Sequence, residues 1–330
     1  MNLFITGGTG FIGAHLVRRL AETPHKLNCL ARKTSNVSGF RDAGATVIVG
    51  DVTDKASLLA GMRGCDAVIN LANVYSFWEP RKRLYKDVNV VGTRNVMECA
   101  LETGASKVVH ISSAVIYGLP TDRPFTEESR IGSVRFSEYA RTKYSGDLCV
   151  WDLYETRHLP VLVIYPGAVL GPGDPKTTGQ YIENLMRRRM PATVFPDSVL
   201  TCVHVRDVAE AIVKALEKQG NVGEKYLIGK DQASFAQINR MISELSGVPL
   251  PKMRMPGPLA IANAWLLTGL ANLTGKPPIW GMSIDMVRTM RYGFRFDGSK
   301  AERELGLTYT PARVALEDAV ASFREGGRST

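Results

Sequence analysis

Cysteine and histidine are both scarce, at five residues each in a chain of 330. Cys29, Cys65, Cys99, Cys149 and Cys202 are odd in number, scattered and never spaced as Cys-x-x-Cys. They fall in stretches that read as helix or strand, which argues against a disulfide framework and predicts reduced thiols in a cytoplasmic protein. His15, His25, His110, His158 and His204 lack metal-ligand spacing, so no metal is expected. Acidic residues are outnumbered, 32 against 41 basic ones, for a net charge of +9. No basic stripe interleaved with aromatics accompanies that excess, so nucleic acid is not expected as a partner. Arg81-Lys82-Arg83 and Arg187-Arg188-Arg189 read as a helix start and a helix end, with a rim that steers an anionic cofactor as the second reading. A long unbroken apolar run is missing too. Residues 255–275 carry no charge, but Pro256, Pro258, Asn263, Gly269 and Asn272 interrupt them, so no membrane span is expected. A lid helix over an apolar pocket is the first reading of that segment, and peripheral contact with a membrane the second.

What is present is a regular alternation. Strand-like runs recur at 2–6, 26–31, 45–49, 66–70, 106–111 and 160–165, each followed by a helical pattern or a loop leading into one. Such alternation predicts an α/β fold, a doubly wound parallel sheet with helices on both faces. After Pro166 the regularity fades: helices are expected at 178–189 and 207–218, the segments near 225–228, 234–246, 258–274 and 282–292 read as a smaller mixed lobe, and 308–323 closes the chain as a helical tail. The expected division is residues 1–166 and 167–330, interleaved rather than separate. Ligands on such sheets bind beyond the carboxyl ends of the strands. The segments to search are therefore 7–13, 32–36, 51–54, 71–79, 112–118 and 166–174.

The first of these segments is the clearest. Gly7-x-x-Gly10-Phe11-Ile12-Gly13 lies between an apolar strand and a helix, where glycines let the backbone approach a pyrophosphate held on helix N–H groups. It begins so early that no targeting segment is expected before it. The second strand ends in Arg32-Lys33 rather than an acid. A guanidinium there can grip a 2′-phosphate that a carboxylate would repel, which predicts NADP(H) with Arg32 as the main contact, and NAD as second choice. Asp51 and Val52 after the third strand suit an adenine, and Leu71 and Ala72 after the fourth let the backbone pass close to the cofactor. Asn89 is expected to position a backbone group or a water near the nicotinamide.

Tyr139-Ala-Arg-Thr-Lys143 places a phenol and an ammonium one turn apart on one helical face. A free tyrosine titrates near ~10 and is a poor base at neutral pH. A neighbouring ammonium and an oxidised nicotinamide are expected to lower that value. Ser112 and Ser113 arrive at the carboxyl end of the fifth strand, where a hydroxyl can hydrogen-bond a substrate oxygen as charge develops on it. Ser113 is the candidate, with Ser112 as its supporting neighbour.

Together these motifs, with Asn89-Val-Val-Gly-Thr93 and Asp297-Gly-Ser-Lys-Ala301, resemble the extended short-chain dehydrogenase/reductase family over nearly the whole chain. Leu30-Ala-Arg-Lys-Thr-Ser-Asn36, Arg189-Met-Pro-Ala192 and Val203-His-Val-Arg-Asp-Val-Ala209 are similar to its branch of dihydroflavonol reductases and 3β-hydroxysteroid dehydrogenase-like proteins. The resemblance implies a Rossmann domain, a C-terminal substrate lobe, and a site in which Tyr139 is acid/base, Lys143 holds the nicotinamide ribose and Ser113 binds the reacting oxygen. It also implies Pro166 beside the cofactor, and a homodimer paired through the helices at 84–103 and 137–156.

Three functions compete. An NADP(H)-dependent reductase or dehydrogenase acting on an apolar ketone, aldehyde or alcohol is expected first, because Arg32 selects a cofactor that turns over. A nucleotide-sugar epimerase or dehydratase would keep its cofactor bound and anchor a pyrophosphate with arginines. Arg291-Tyr-Gly-Phe-Arg-Phe-Asp297 departs from the Arg-Pro-Gly-Asp of many such proteins, whereas Arg187–Arg189 favours this second class. A non-catalytic redox sensor would be expected to lose the tyrosine or lysine, and both remain. Tyr75, Phe77 and Trp78 are candidates to wall the substrate pocket.

Overall fold

The computed structural model describes residues 1–326; the last four residues of the expected C-terminal lobe lie outside them. In chain order the first half comprises β1 (Asn2–Thr6), α1 (Phe11–Leu20), β2 (Lys26–Ala31), α2 (Ser38–Asp42), β3 (Thr46–Val49), α3 (Lys55–Met62), β4 (Ala67–Asn70), α4 (Arg83–Lys86), α5 (Thr93–Glu102), β5 (Lys107–Ile111) and α6 (Glu138–Arg157). A π-helical turn, Asp87–Gly92, joins α4 to α5. There follow β6 (Val161–Pro166), β7 (Ala168–Leu170), α7 (Thr177–Met186), β8 (Ala192–Thr193), β9 (Val199–His204), α8 (Val205–Glu217), β10 (Lys225–Ile228), β11 (Asp231–Ser234) and α9 (Phe235–Ser246). The chain closes with β12 (Met253–Arg254), α10 (Gly257–Thr274), α11 (Ile284–Tyr292), α12 (Ser299–Leu305) and α13 (Ala312–Gly326).

Seven parallel strands form the central sheet in the order β10-β6-β5-β4-β1-β2-β3. β4, β5 and β6 are buried at every position, which is why apolar residues follow one another along them rather than alternating; Asn70, Lys107 and His110 are the buried polar exceptions. The winding reverses between β1 and β4, and the crevice at that switch point is where ligands of such sheets bind. This is the doubly wound Rossmann architecture. β10, expected in the C-terminal lobe, instead extends the main sheet beside β6. Helix α8, which precedes it, packs on α1, so the second half of the chain returns to complete the first.

The remaining elements build the smaller lobe around a three-stranded sheet, β11-β9-β7, and a short β12-β8 pair. Its core joins Leu185, Phe235, Ile242 and Leu316 from α7, α9 and α13. A bridge from Phe125 to Phe296 ties the two lobes, and one from Leu200 to Phe294 lies within the second. No disulfide forms: Cys29, Cys65, Cys99 and Cys202 are buried thiols, and Cys149 is half-buried. Among the described residues, no helix is long and apolar enough to cross a membrane, and no cluster has the composition of a metal site.

Candidate active site

A cleft of about 1000 Å³ opens over the switch point and receives wall residues from each of the six segments that follow strands β1 to β6. Gly7, Gly10, Phe11, Ile12 and Gly13 form one end of it. A Cβ on Gly7 would sit 2.6 Å from Ala72 N, and one on Gly13 only 2.2 Å from the Gly7 carbonyl oxygen, so neither position tolerates a side chain. The N-terminus of α1 carries no side-chain cap and no acidic residue in its first turn. Its unpaired N–H groups and positive dipole end therefore fit a diphosphate. Arg32, Asp51, Val52, Leu71, Ala72 and Pro166 continue the wall. Asp51 Oδ1 accepts from Thr53 N at 2.9 Å and Thr53 Oγ1 at 2.7 Å, which orients the carboxylate at the cleft edge.

Three expected cofactor contacts are not brought to that wall. Lys33 is exposed to solvent beside Arg32. Asn89 is buried in the π-helical turn with its amide committed elsewhere. Its Oδ1 accepts from Val74 N at 2.7 Å and its Nδ2 donates to Thr142 Oγ1 at 3.0 Å. Asn89 thus ties the loop after β4 to α6 and positions backbone, without facing the cleft. Lys143 is 2% exposed, and its Nζ donates to the Ile111 carbonyl oxygen at 2.8 Å.

Tyr139 does face the cleft, and three features fix it there. Ser137 caps α6 by accepting from Ala140 N at 3.1 Å. Asp285 of α11 accepts from Glu138 N at 2.8 Å, so the substrate lobe also holds the start of this helix. Tyr75 and Phe77 pack edge-on against the Tyr139 ring, with centroids at 5.2 and 6.0 Å. Both line the cleft, whereas Trp78 turns away and donates through Nε1 to Asn272 Oδ1.

The electrostatics differ from the expectation. Burial strips the Tyr139 phenolate of water and pushes its pKa well above that of a free phenol; Tyr75 and Asp147 add to the rise, and a hydrogen bond with Ser113 opposes it. Lys143 is not among the groups that offset this rise: its Nζ is bonded to the Ile111 carbonyl oxygen, and burial lowers its own pKa to about 8, against the nearby Asp147, which raises it. Tyr139 therefore carries its proton at neutral pH.

Behind the pair runs a buried polar chain that motif reading missed. Thr6 Oγ1 donates to Asn70 Oδ1 at 2.6 Å, and Asn70 Nδ2 donates to His110 Nδ1 at 3.1 Å. That order leaves the His110 proton on Nε2, which faces Asp147 Oδ1 at 3.5 Å. Burial keeps the imidazole neutral by lowering its pKa. Asp147 Oδ2 accepts from Ser112 Oγ at 2.8 Å, so Ser112 supports the strand end and leaves Ser113 on the cleft. The spacing Tyr139, Lys143, Asp147 was the available signal, since it puts all three on one face of α6.

The far half of the cleft is walled by Val115, Tyr181, Leu200, Phe235, Met286 and Met290. The arginines of the second half of the chain stay outside it: Arg187 pairs with Glu183 at 2.9 Å, and Arg188 and Arg189 point into solvent.

Comparison with known proteins places this architecture. Residues 3–229 match the model of the NAD dependent epimerase/dehydratase family. A Synechocystis protein that carries the provisional name dihydroflavonol 4-reductase is 32% identical, with the alignment covering 98% of this chain and 95% of the relative. The sterol demethylase protein B of Methylococcus capsulatus is also 32% identical, over 99% of both chains. Among solved structures, gox2253 superposes with a TM-score of 0.85 at 34% identity, covering 99% of this chain and 98% of the other. DesIV, a dTDP-glucose 4,6-dehydratase of Streptomyces venezuelae solved with NAD bound, shares the fold at 24% identity and a TM-score of 0.79, over 98% of this chain and 97% of its own. The chain belongs to the extended short-chain dehydrogenase/reductase, or NAD-dependent epimerase/dehydratase, family, in its dihydroflavonol reductase and 3β-hydroxysteroid dehydrogenase-like branch.

Proposed function

We propose that this protein is an NADP(H)-dependent reductase that converts a ketone or aldehyde on a largely apolar molecule to the alcohol. The observation that carries this reading is the apolar wall of Val115, Tyr181, Leu200, Phe235, Met286 and Met290, together with a second half of the chain that brings no arginine to the cleft and only one cation, Lys176. Arg32 at the end of β2 supports the 2′-phosphorylated cofactor. The uncapped N-terminus of α1 takes the diphosphate. When bound, the nicotinamide supplies the hydride that goes to the carbonyl carbon. Ser113 donates a hydrogen bond to the carbonyl oxygen as negative charge grows there, and Tyr139 transfers its proton to that oxygen. A phenol that holds its proton at neutral pH suits this acid role better than the base role of alcohol oxidation. Lys143, beneath Tyr139, supplies the positive charge that stabilises the phenolate left after transfer. We place the protein in the cytoplasm as a homodimer. Exposed Val91 and Leu148, on the two helical segments expected to pair, support that assembly.

The test is to follow NADPH absorbance against aldehydes, ketones, sterol-like ketones and UDP-sugars. Net NADPH oxidation with an apolar carbonyl supports the reductase. Isomerised or dehydrated sugar with no net cofactor change replaces it with the epimerase/dehydratase reading.

A further inference from the structure

Helix α10 is apolar on both faces. Ala260, Ala264, Leu267 and Ala271 form its buried stripe. The opposite side leaves Leu259, Trp265, Leu266, Leu270 and Leu273 in solvent, with Trp265 55%, Leu266 62% and Leu273 86% exposed. An ordinary surface helix is polar on its outer face. The patch continues past the helix end to Ile279 and Trp280, both exposed. Trp280 adopts a left-handed backbone conformation (φ 56°), which an indole side chain disfavours.

The segment that carries this patch has charges of one sign, and the acids on the elements packed beside it, Glu79 and Asp285, are engaged with Arg81 and with Glu138 N. No aspartate or glutamate occurs between Glu244 and Asp285, while Lys252, Arg254 and Lys276 bracket the helix. Arg288 lies over the Trp265 ring at 5.3 Å. β12 pairs with β8, with Met253 opposite Ala192, which brings the exposed Arg188 and Arg189 toward the same end of the helix. A second copy docked here by two-fold symmetry would press these basic rims together. Anionic headgroups would neutralise them, while the leucines enter the acyl boundary and the two tryptophans sit at the interface.

We propose that the outer face of α10, with Ile279 and Trp280, is a peripheral docking surface for an anionic lipid bilayer. The helix lies in the plane of the membrane and does not cross it. Trp78 bonds Asn272, and Ser283 at the start of α11 donates to the Phe77 carbonyl oxygen at 2.7 Å, so this face adjoins the apolar half of the cleft. Delivery of substrate from the bilayer is a corollary that rests on the apolar-substrate reading; docking itself does not.

The experiment is vesicle co-sedimentation of the full chain without cofactor or substrate, so that its outcome is independent of the reaction. Vesicles of phosphatidylcholine with phosphatidylglycerol should bind the protein and shift its tryptophan emission to the blue, and pure phosphatidylcholine should bind it less. Leu266→Asp with Leu273→Asp should weaken binding by about tenfold or more, and Lys276→Ser with Arg189→Ser should remove the preference for phosphatidylglycerol. Both double variants should keep the thermal unfolding and NADPH binding of the parent. Absence of vesicle binding overturns the proposal. So does a larger assembly in solution that Leu266→Asp with Leu273→Asp splits while vesicles bind neither protein.

Discussion

Lys143 Nζ donates to the Ile111 carbonyl oxygen at 2.8 Å, which anchors the ammonium to the end of β5 beneath Tyr139. The strand that delivers Ser113 and the helix that carries Tyr139 are thereby fixed to each other through a buried charge. Asp147, one turn further along α6, is the carboxylate that favours that charge.

Tyr139→Phe removes the proton donor and keeps the ring that packs against Tyr75 and Phe77. We predict a loss of turnover of about a hundredfold to ten-thousandfold, the usual worth of a general acid, with NADPH affinity by fluorescence titration unchanged. Retained turnover would remove Tyr139 from the mechanism.

Arg32→Ala should weaken NADPH far more than NADH, because only the former offers a phosphate to the guanidinium. Isothermal titration with both cofactors measures the difference. Equal weakening would show that Arg32 does not read the phosphate.

The pH dependence has a definite sign. Lys143 has its pKa lowered by burial to about 8, and Asp147 holds it up from a still lower value. Asp147→Asn should therefore move the alkaline limb of kcat toward lower pH, and an unmoved limb would mean that this carboxylate does not act through Lys143. Stability carries the same signature. The unfolded chain retains the Lys143 proton up to its ordinary pKa of 10.5, so the cost of burying the charge is present below about pH 8 and is relieved as pH rises toward 10.5. The free energy of unfolding of the parent, measured against Lys143→Met, should rise across that window by an amount on the order of 3 kcal/mol.

Much of this site was legible in the sequence, and what escaped has physical reasons. Strands β1 to β6 are predominantly apolar runs, so their limits were visible to within about a residue. The start of α1 is not legible from the glycine run, because Phe11, Ile12 and Gly13 belong at once to the turn and to the first helical turn. The buried chain from Thr6 to Asp147 was not visible. His110 and Asp147 lie far apart in sequence, and only the packing of α6 against β5 brings them together. The depth of Lys143 escaped for the same reason: spacing places it on a face and says nothing of what covers that face. β10 was not among the strand-like runs, because its place in the main sheet depends on the return of the chain through α8.

Lys107 offers a test of the fold apart from the chemistry. It sits at the start of β5, and its buried Nζ donates to the Leu216 carbonyl oxygen at 3.0 Å, to Asn221 Oδ1 at 2.9 Å and to the Lys218 carbonyl oxygen, closing the C-terminus of α8. Lys107→Met leaves those carbonyls without a donor. Loss of such charged hydrogen bonds costs about 2 kcal/mol or more, readable as a lower denaturant midpoint. An unchanged midpoint would show that water replaces the ammonium.

The central claim is net hydride transfer to an apolar carbonyl, and isotope transfer tests it most directly. The protein is incubated with NADPH deuterated at the transferring position and an apolar ketone, and the products are analysed by mass spectrometry. The account predicts one deuterium on the carbinol carbon for each NADP formed. Deuterium that stays in the cofactor, while a sugar nucleotide is isomerised by the same protein, would contradict it.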